Sequence, residues 1–470
     1  MDAAARLSGL SAMNDGRRVF HSSSVIRHSS FLLLAFVLLL APAAFAAPTG
    51  ETVRAIEIAG NKKMRTSRVL QYMDTKVGGP FDPDVLTRDV ERIRSWMYFD
   101  YVRPTVVHAA DGARVRIELQ EKLTIIPDID VQYGGGAYMV HAGIKDTNFL
   151  GYRQEVDIFG GFRAGDWLAG AHFIEPRIAG TRFGVRVEAL RVFYADPLYL
   201  DARARAAAYE SVVDRMGGEL RLEREFSDLF RLGVAYGYTY DRTRRSPTFK
   251  HTDRADVLAD LARDGDPNAE KALFANMVPH STAAYLGAWM KAGRIAFDDY
   301  IFRGWSLEST FRHYDPALGG STSFERFLAD FRFYVPVPGR MNATARLMVG
   351  AENSPMFLEQ FTLGGLDTLR GYPDRRFRGR DMGVLNVEYR WIPGSWWWFT
   401  FMFVALADAG ITSNGAGDPL VLKDDFHASA GAGFRWIIHK WDNAVVRGDV
   451  AWPLTGRHVM GFTVGVDMFF

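Results

Sequence analysis

From Thr124 to the C-terminus, hydrophobic and polar residues alternate with a period of two. Gly383, Leu385, Val387, Tyr389 and Trp391 share one face of such a segment, and Asn386, Glu388 and Arg390 share the other. Ala343, Ala345, Leu347 and Val349 oppose Asn342, Thr344 and Arg346 in the same way, as Phe327, Ala329, Phe331 and Phe333 oppose Arg326, Asp330 and Arg332. The last segment, Met460 to Phe470, sets Met460, Phe462, Val464, Val466, Met468 and Phe470 against Gly461, Thr463, Gly465 and Asp467, with Phe469 out of pattern. An open soluble sheet also has an apolar and a polar face. What distinguishes this chain is repetition: about sixteen such segments, joined by alternately short and long connections, predict an antiparallel transmembrane β-barrel of sixteen strands over residues 124–470. Val335-Pro336-Val337-Pro338-Gly339 and Pro393-Gly394-Ser395 read as short connections, and Asp241 to His280 and Ser354 to Met382 as long ones. Trp396-Trp397-Trp398 falls at a strand end, where an interfacial aromatic girdle belongs, and the charged faces line a lumen because a lipid-facing charge is costly.

The segment before the barrel follows another pattern. Val53 to Ile58 reads as a strand closed by Gly60-Asn61, and Ser67 to Met73 as helical. After Gly78-Gly79-Pro80, Asp82 is placed to cap a helix with Pro83 at its first position, and Leu86, Val90, Ile93 and Met97 share one helical face. Tyr101 to Val107, the turn Asp111-Gly112, and the alternating Val115, Ile117 and Leu119 make a hairpin. Residues 52–122 are therefore expected to form a small α+β domain in the order strand, helix, helix, strand, strand.

The N-terminus adds the compartment. Arg17, Arg18 and Arg27 precede the apolar run Phe31 to Leu40, and Ala44-Phe45-Ala46 supplies a small-residue cleavage site, so residues 1–46 read as a signal peptide with a long leading region. A mean hydropathy of -0.09 fits a barrel, whose lipid-facing and lumen-facing residues average out. The net charge of +1 argues against a nucleic-acid partner. The chain has no cysteine, which excludes disulfides, thiol catalysis and cysteine-ligated zinc. Asp264, Asp266 and Asn268 have the spacing of a calcium loop, but Ala269 stands where glycine is required and Ala275 where the bidentate glutamate belongs. No metalloprotease, nucleophile-elbow or phosphate-loop pattern occurs, so neither an enzyme nor a cofactor is expected.

Three motifs carry a family resemblance. Gly364-Gly365-Leu366-Asp367-Thr368-Leu369-Arg370-Gly371-Tyr372 lies in a long connection, Asn386-Val387-Glu388-Tyr389-Arg390 in the next strand, and Ala407-Asp408-Ala409-Gly410 in the one after. Together with the opening "IEIAGNKK", the central "GGPFD" and the closing "VRIELQEK" of residues 52–122, they resemble the BamA/TamA outer-membrane assembly superfamily. That is a polypeptide-transport-associated (POTRA) domain followed by a surface-antigen-type barrel. The resemblance implies that the loop folds back into the lumen and that Arg370 pairs there with Glu388 and Asp408, with Gly410 completing the strand motif. A buried guanidinium needs carboxylate partners, which it can grip as a fork.

The resemblance also implies function: a factor of a Gram-negative-type outer membrane that inserts other proteins, its periplasmic POTRA domain receiving clients. A weakly paired strand edge can template an incoming strand. Pro127 in the first barrel strand cannot donate a ladder bond, and Gly461 and Gly465 in the last one pack little, so the seam closing at Phe470 is expected to be weak. Expected partners are unfolded outer-membrane or exported proteins, outer-membrane lipids and lipopolysaccharide, and periplasmic chaperones or lipoproteins. There is room for one POTRA domain, where family members usually carry several. The alternatives are a two-partner-type secretion pore and, third, a passive porin.

Overall fold

A computed structural model describes residues 51–468, except 97, 164–165, 199–208, 246–279, 299, 355–358, 366, 414–425, 439–443, 456–459 and 467. The expected signal peptide, the Asp264–Asn268 spacing and Phe470 lie outside the described residues.

The POTRA-like domain holds β1 (Val53–Ala59), α1 (Thr66–Gln71), α2 (Pro83–Arg94), β2 (Phe99–Ala109) and β3 (Gly112–Glu121). Asp82 caps α2 by accepting from the Asp84 and Val85 amides, with Pro83 at the first turn. Leu86, Val90 and Ile93 then face inward onto the buried face of β3, formed by Val115, Ile117 and Leu119. The sheet order is β1-β3-β2, with β1 and β3 parallel.

The barrel begins with β4 (Ile125–Gly134), β5 (Ala137–Phe149), β6 (Gln154–Arg163), β7 (Asp166–Glu175) and β8 (Phe183–Leu198). It continues with β9 (Tyr209–Ser227), β10 (Phe230–Arg245), β11 (His280–Asp298), β12 (Ile301–Tyr314), β13 (Phe324–Val337) and β14 (Met341–Glu352). A lumen hairpin of β15 (Phe361–Leu363) and β16 (Phe377–Gly379) follows. The wall closes with β17 (Asp381–Trp396), β18 (Phe399–Ser413), β19 (Phe426–Ile438), β20 (Ala444–Pro453) and β21 (Gly461–Val466). Sixteen strands, β4–β14 and β17–β21, pair antiparallel with their sequence neighbours, and β21 pairs with β4 to complete a closed barrel. Alternation decides the faces. Leu385, Val387, Tyr389 and Trp391 are 40–44% exposed on the outer wall, while Asn386, Glu388 and Arg390 are fully buried inside.

Two connections differ from the sequence reading. Pro336 is not in a turn: β13 runs through it to Val337, where it pairs with Asn342 close to the strand end. Pro393 and Gly394 lie inside β17, at a register shift between Trp391 and Gly394, because a bulge leaves room for a residue that cannot donate a ladder bond. The turn falls instead on Trp397 and Trp398. The last strand, expected over Met460 to Phe470, is described only as Gly461–Val466.

Candidate functional site

The connection from β14 to β17 turns inward rather than standing clear of the rim. Gly364, Gly365 and Gly371 all have positive φ, a conformation that glycine adopts without a Cβ clash. The Gly365 amide donates to the Tyr372 carbonyl at 3.1 Å, closing the segment that carries Arg370. The Arg370 side chain is fully buried and meets the inner faces of three wall strands.

Its guanidinium grips Asp408 of β18 as a fork, with Nε to Oδ2 and Nη2 to Oδ1 both 2.8 Å. The Arg370 amide donates to the same carboxylate at 3.1 Å, and Nη1 donates to Glu388 Oε1 of β17 at 2.6 Å. Asp449 of β20 lies 3.4 Å from Nη1. Arg435 of β19 bridges Asp449 and Glu388 at 2.6 and 3.0 Å, and Arg390 donates to Glu388 Oε2 at 2.8 Å. Three guanidinium groups thus meet three carboxylates, all at most 2% exposed, and a fourth buried guanidinium, Arg447 of β20, lies within electrostatic range of the same cluster. Asn386 braces it by donating to the Thr368 carbonyl at 2.8 Å and to Asp408 Oδ1 at 2.9 Å.

The rest of the motif fits the loop against the wall. Tyr372 is 1% exposed, and its hydroxyl donates to the Ala428 carbonyl at 2.8 Å and meets Thr455 Oγ1 at 2.9 Å. Gly410 leaves space for Leu363 and Leu369: a Cβ there would come within 3.0 Å of Leu363 Cδ1. Asp374 donates its amide to the Gly135 carbonyl at 2.9 Å, tying the loop to the β4–β5 turn.

The reading of the two seam glycines needs correction. Among the described residues, β21 and β4 share three pairs, Thr463–Gly134, Val464–Tyr133 and Gly465–Gln132, whereas β4 and β5 share ten. Pro127 pairs with Ile144 of β5, and the C-terminal end of the seam, Phe469 and Phe470, lies outside the described residues. Gly461 and Gly465 are not loosely packed positions. A Cβ on Gly461 would lie 2.5 Å from Gly371 Cα, and one on Gly465 would lie 2.5 Å from Arg447 Nε. Both glycines admit a close approach from the lumen, and only Gly465 pairs across the seam.

Sequence reasoning missed Asp449 and Arg435. The available signal was parity: Arg447 and Asp449 alternate with Val446 and Val450, so both point inward. It also missed how the POTRA-like domain docks. Tyr72, just after α1, lies under Arg177 of the β7–β8 connection, 3.8 Å from the ring centroid, and accepts a hydrogen bond from Arg153 at 2.7 Å. Arg177 also donates to the Gln71 carbonyl at 2.9 Å and pairs with Glu225 at 2.7 Å. Arg92 of α2 grips Asp228 at 2.8 and 2.9 Å. Burial alone would lower the pKa of Arg92, but Asp228 and Asp74 outweigh it and raise it.

Arg177→Ala would remove a ring contact and two charge-assisted bonds, each bond being worth about 1.5–3 kcal/mol. Amide exchange in residues 66–73 and 176–182 is expected to accelerate by at least about tenfold, and unchanged exchange would show that the docking does not depend on this arginine.

The comparisons agree with this architecture. The Omp85 superfamily domain matches residues 148–457, and the surface antigen variable number repeat, a POTRA unit, matches residues 51–122. The outer membrane protein assembly factor BamA of Nitratidesulfovibrio vulgaris is 22% identical over 414 residues, covering 82% of this chain and 46% of the relative. The chain thus spans about half the length of that curated relative. Among solved structures, BamA from Haemophilus ducreyi lacking POTRA domains 1–3 superposes with a TM-score of 0.56 at 16% identity, covering 88% of this chain and 84% of that one. CdiB from Acinetobacter baumannii gives 0.59 at 13% identity, covering 89% of this chain and 73% of that one. With the family domain spanning most of the barrel and the repeat spanning the domain before it, the chain belongs to the Omp85 superfamily, as an outer-membrane barrel with its POTRA domain in the periplasm.

Proposed function

We propose that this protein assembles other proteins into the outer membrane, with the POTRA domain receiving unfolded clients and the β4–β21 seam templating their insertion. The observation that carries this reading is the seam: three strand pairs among the described residues, beside the ten of the next ladder. Opened at these pairs, the edges of β4 and β21 can accept an incoming strand. The loop that crosses the lumen favours a route through the wall over one through the pore, which ranks this reading above a secretion pore for one dedicated protein and above a passive porin. Periplasmic chaperones or lipoproteins would deliver clients to the POTRA domain, and outer-membrane lipids and lipopolysaccharide surround the wall.

The test exploits the chain's lack of cysteine. Tyr133→Cys together with Val464→Cys places two thiols at one seam pair. Oxidation should abolish client insertion, and reductant should restore it. Full activity in demonstrably cross-linked protein would exclude opening of the seam. Depletion followed by outer-membrane proteomics separates the two leading readings: broad loss of barrels for an assembly factor, loss of one exported protein for a secretion pore.

A further inference from the structure

The β14–β17 connection also carries a buried charge of opposite sign to Arg370. Glu359, two residues before β15, is 5% exposed. Its carboxylate accepts a hydrogen bond from Arg215 of β9 and lies 3.5 Å from Arg326 Nη1 of β13, which donates to the Glu359 carbonyl at 2.7 Å. Asp241 of β10 holds Arg215 from behind at 2.8 and 2.6 Å. Arg326 packs 4.2 Å from the ring centroid of Phe361 and also lies 3.5 Å from the buried carboxylate of Glu352.

Strands β10, β11 and β12 separate β9 from β13 in the wall, so one loop carboxylate joins strands that are not neighbours. A solvated loop glutamate would do neither this nor be buried. Further along, Arg375 lies 4.2 Å from the ring centroid of Tyr194 of β8, while Arg370 is held by β17, β18 and β20. The connection therefore crosses the lumen with an attachment on each side, a loop carboxylate between wall arginines on one and a loop arginine among wall carboxylates on the other.

We propose that Glu359 is a second tether, which holds this connection as a closed strap and so sets the ion permeability of the barrel. Released from Arg215 and Arg326, Glu359 and Gln360 can move with the β15–β16 hairpin on the Arg370 anchor and open the β9–β13 side of the lumen to water. The proposal does not rest on the assembly reading, because permeability needs no client.

Full-length protein in planar lipid bilayers tests it, with folding checked by heat-modifiable migration on gels. Glu359→Gln keeps the volume and loses the charge, whereas Glu359→Asp keeps the charge and loses a methylene. A charge tether requires Glu359→Gln to raise the mean ionic conductance several-fold and to admit external protease to residues 359–363, with Glu359→Asp close to wild type. A packing role would reverse that order. Arg215→Gln removes the same contact from the wall side and should reproduce the leak, which keeps the test decisive where Glu359→Gln does not fold. Wild-type conductance in either folded glutamine variant, or a larger leak from Glu359→Asp than from Glu359→Gln, overturns the proposal. So does failure of both glutamine variants to fold, which would make the contact part of the barrel's folding rather than a tether of its loop.

Discussion

Arg370→Ala is expected to free the lumen loop and depress client assembly while leaving a closed barrel. The loss falls unevenly on the three carboxylates. Glu388 keeps Arg390 and Arg435, and Asp449 keeps Arg435. Asp408 loses its fork and keeps the backbone amide of residue 370 at 3.1 Å and the Asn386 side-chain amide at 2.9 Å. Breaking a buried pair by removing one partner costs about 3–5 kcal/mol, and the remaining arginines put the expected cost toward the low end. Arg370→Lys keeps the charge without the fork, so it should be impaired to a lesser degree. The double variant Arg370→Ala/Asp408→Asn removes the stranded charge without restoring the anchor: it should regain stability but not function. External protease cleavage between Ser354 and Met382, measured beside client assembly, reads both effects. If Arg370→Ala matches wild type in both assays, this residue is ordinary loop charge.

Gly461→Val should give a comparable defect from the opposite side of the contact. The new Cβ would stand 2.5 Å from Gly371 Cα and 2.9 Å from its carbonyl carbon, and backbone cannot rotate out of the way as a side chain can. Gly371 itself is at φ +90 and lies against Ala451 as well, the β20 residue paired with Gly461, so the loop backbone is seated on both strands at this point. Overpacking of this kind costs about 1–3 kcal/mol, and here it acts on the loop that carries Arg370. The expected result is a heat-modifiable barrel with a protease-accessible loop. Phe462→Val, one residue along and 48% exposed on the outer wall, is the control and should behave as wild type. A protected loop in Gly461→Val would mean that the contact between Gly371 and β21 is not needed to seat the strap.

Architecture was readable from local pattern because a barrel strand repeats its instruction at every second residue. The same alternation puts Glu388 and Asp408 on polar faces, and Asp82-Pro83 marks the start of α2. What alternation cannot report is which inward residues meet. Asp449 lies 79 positions from Arg370, and Glu359 meets Arg215 across 144, so those contacts exist only once the wall closes and the loop turns inward. The glycines make the same point. In sequence, Gly461 and Gly465 look like weak packing; in the folded chain each is small because a loop backbone or a buried arginine occupies the space where a side chain would go. Pro393 likewise signals a turn locally, yet the long β17 ladder continues past it by taking it into a bulge. Docking of the POTRA domain onto the β7–β8 connection had no local signal, because Tyr72 and Arg177 are each unexceptional until the two domains touch. Periodicity belongs to neighbours along the chain, whereas the clamp, the seam and the docking belong to neighbours in space, and only closure of the barrel makes those the same strands.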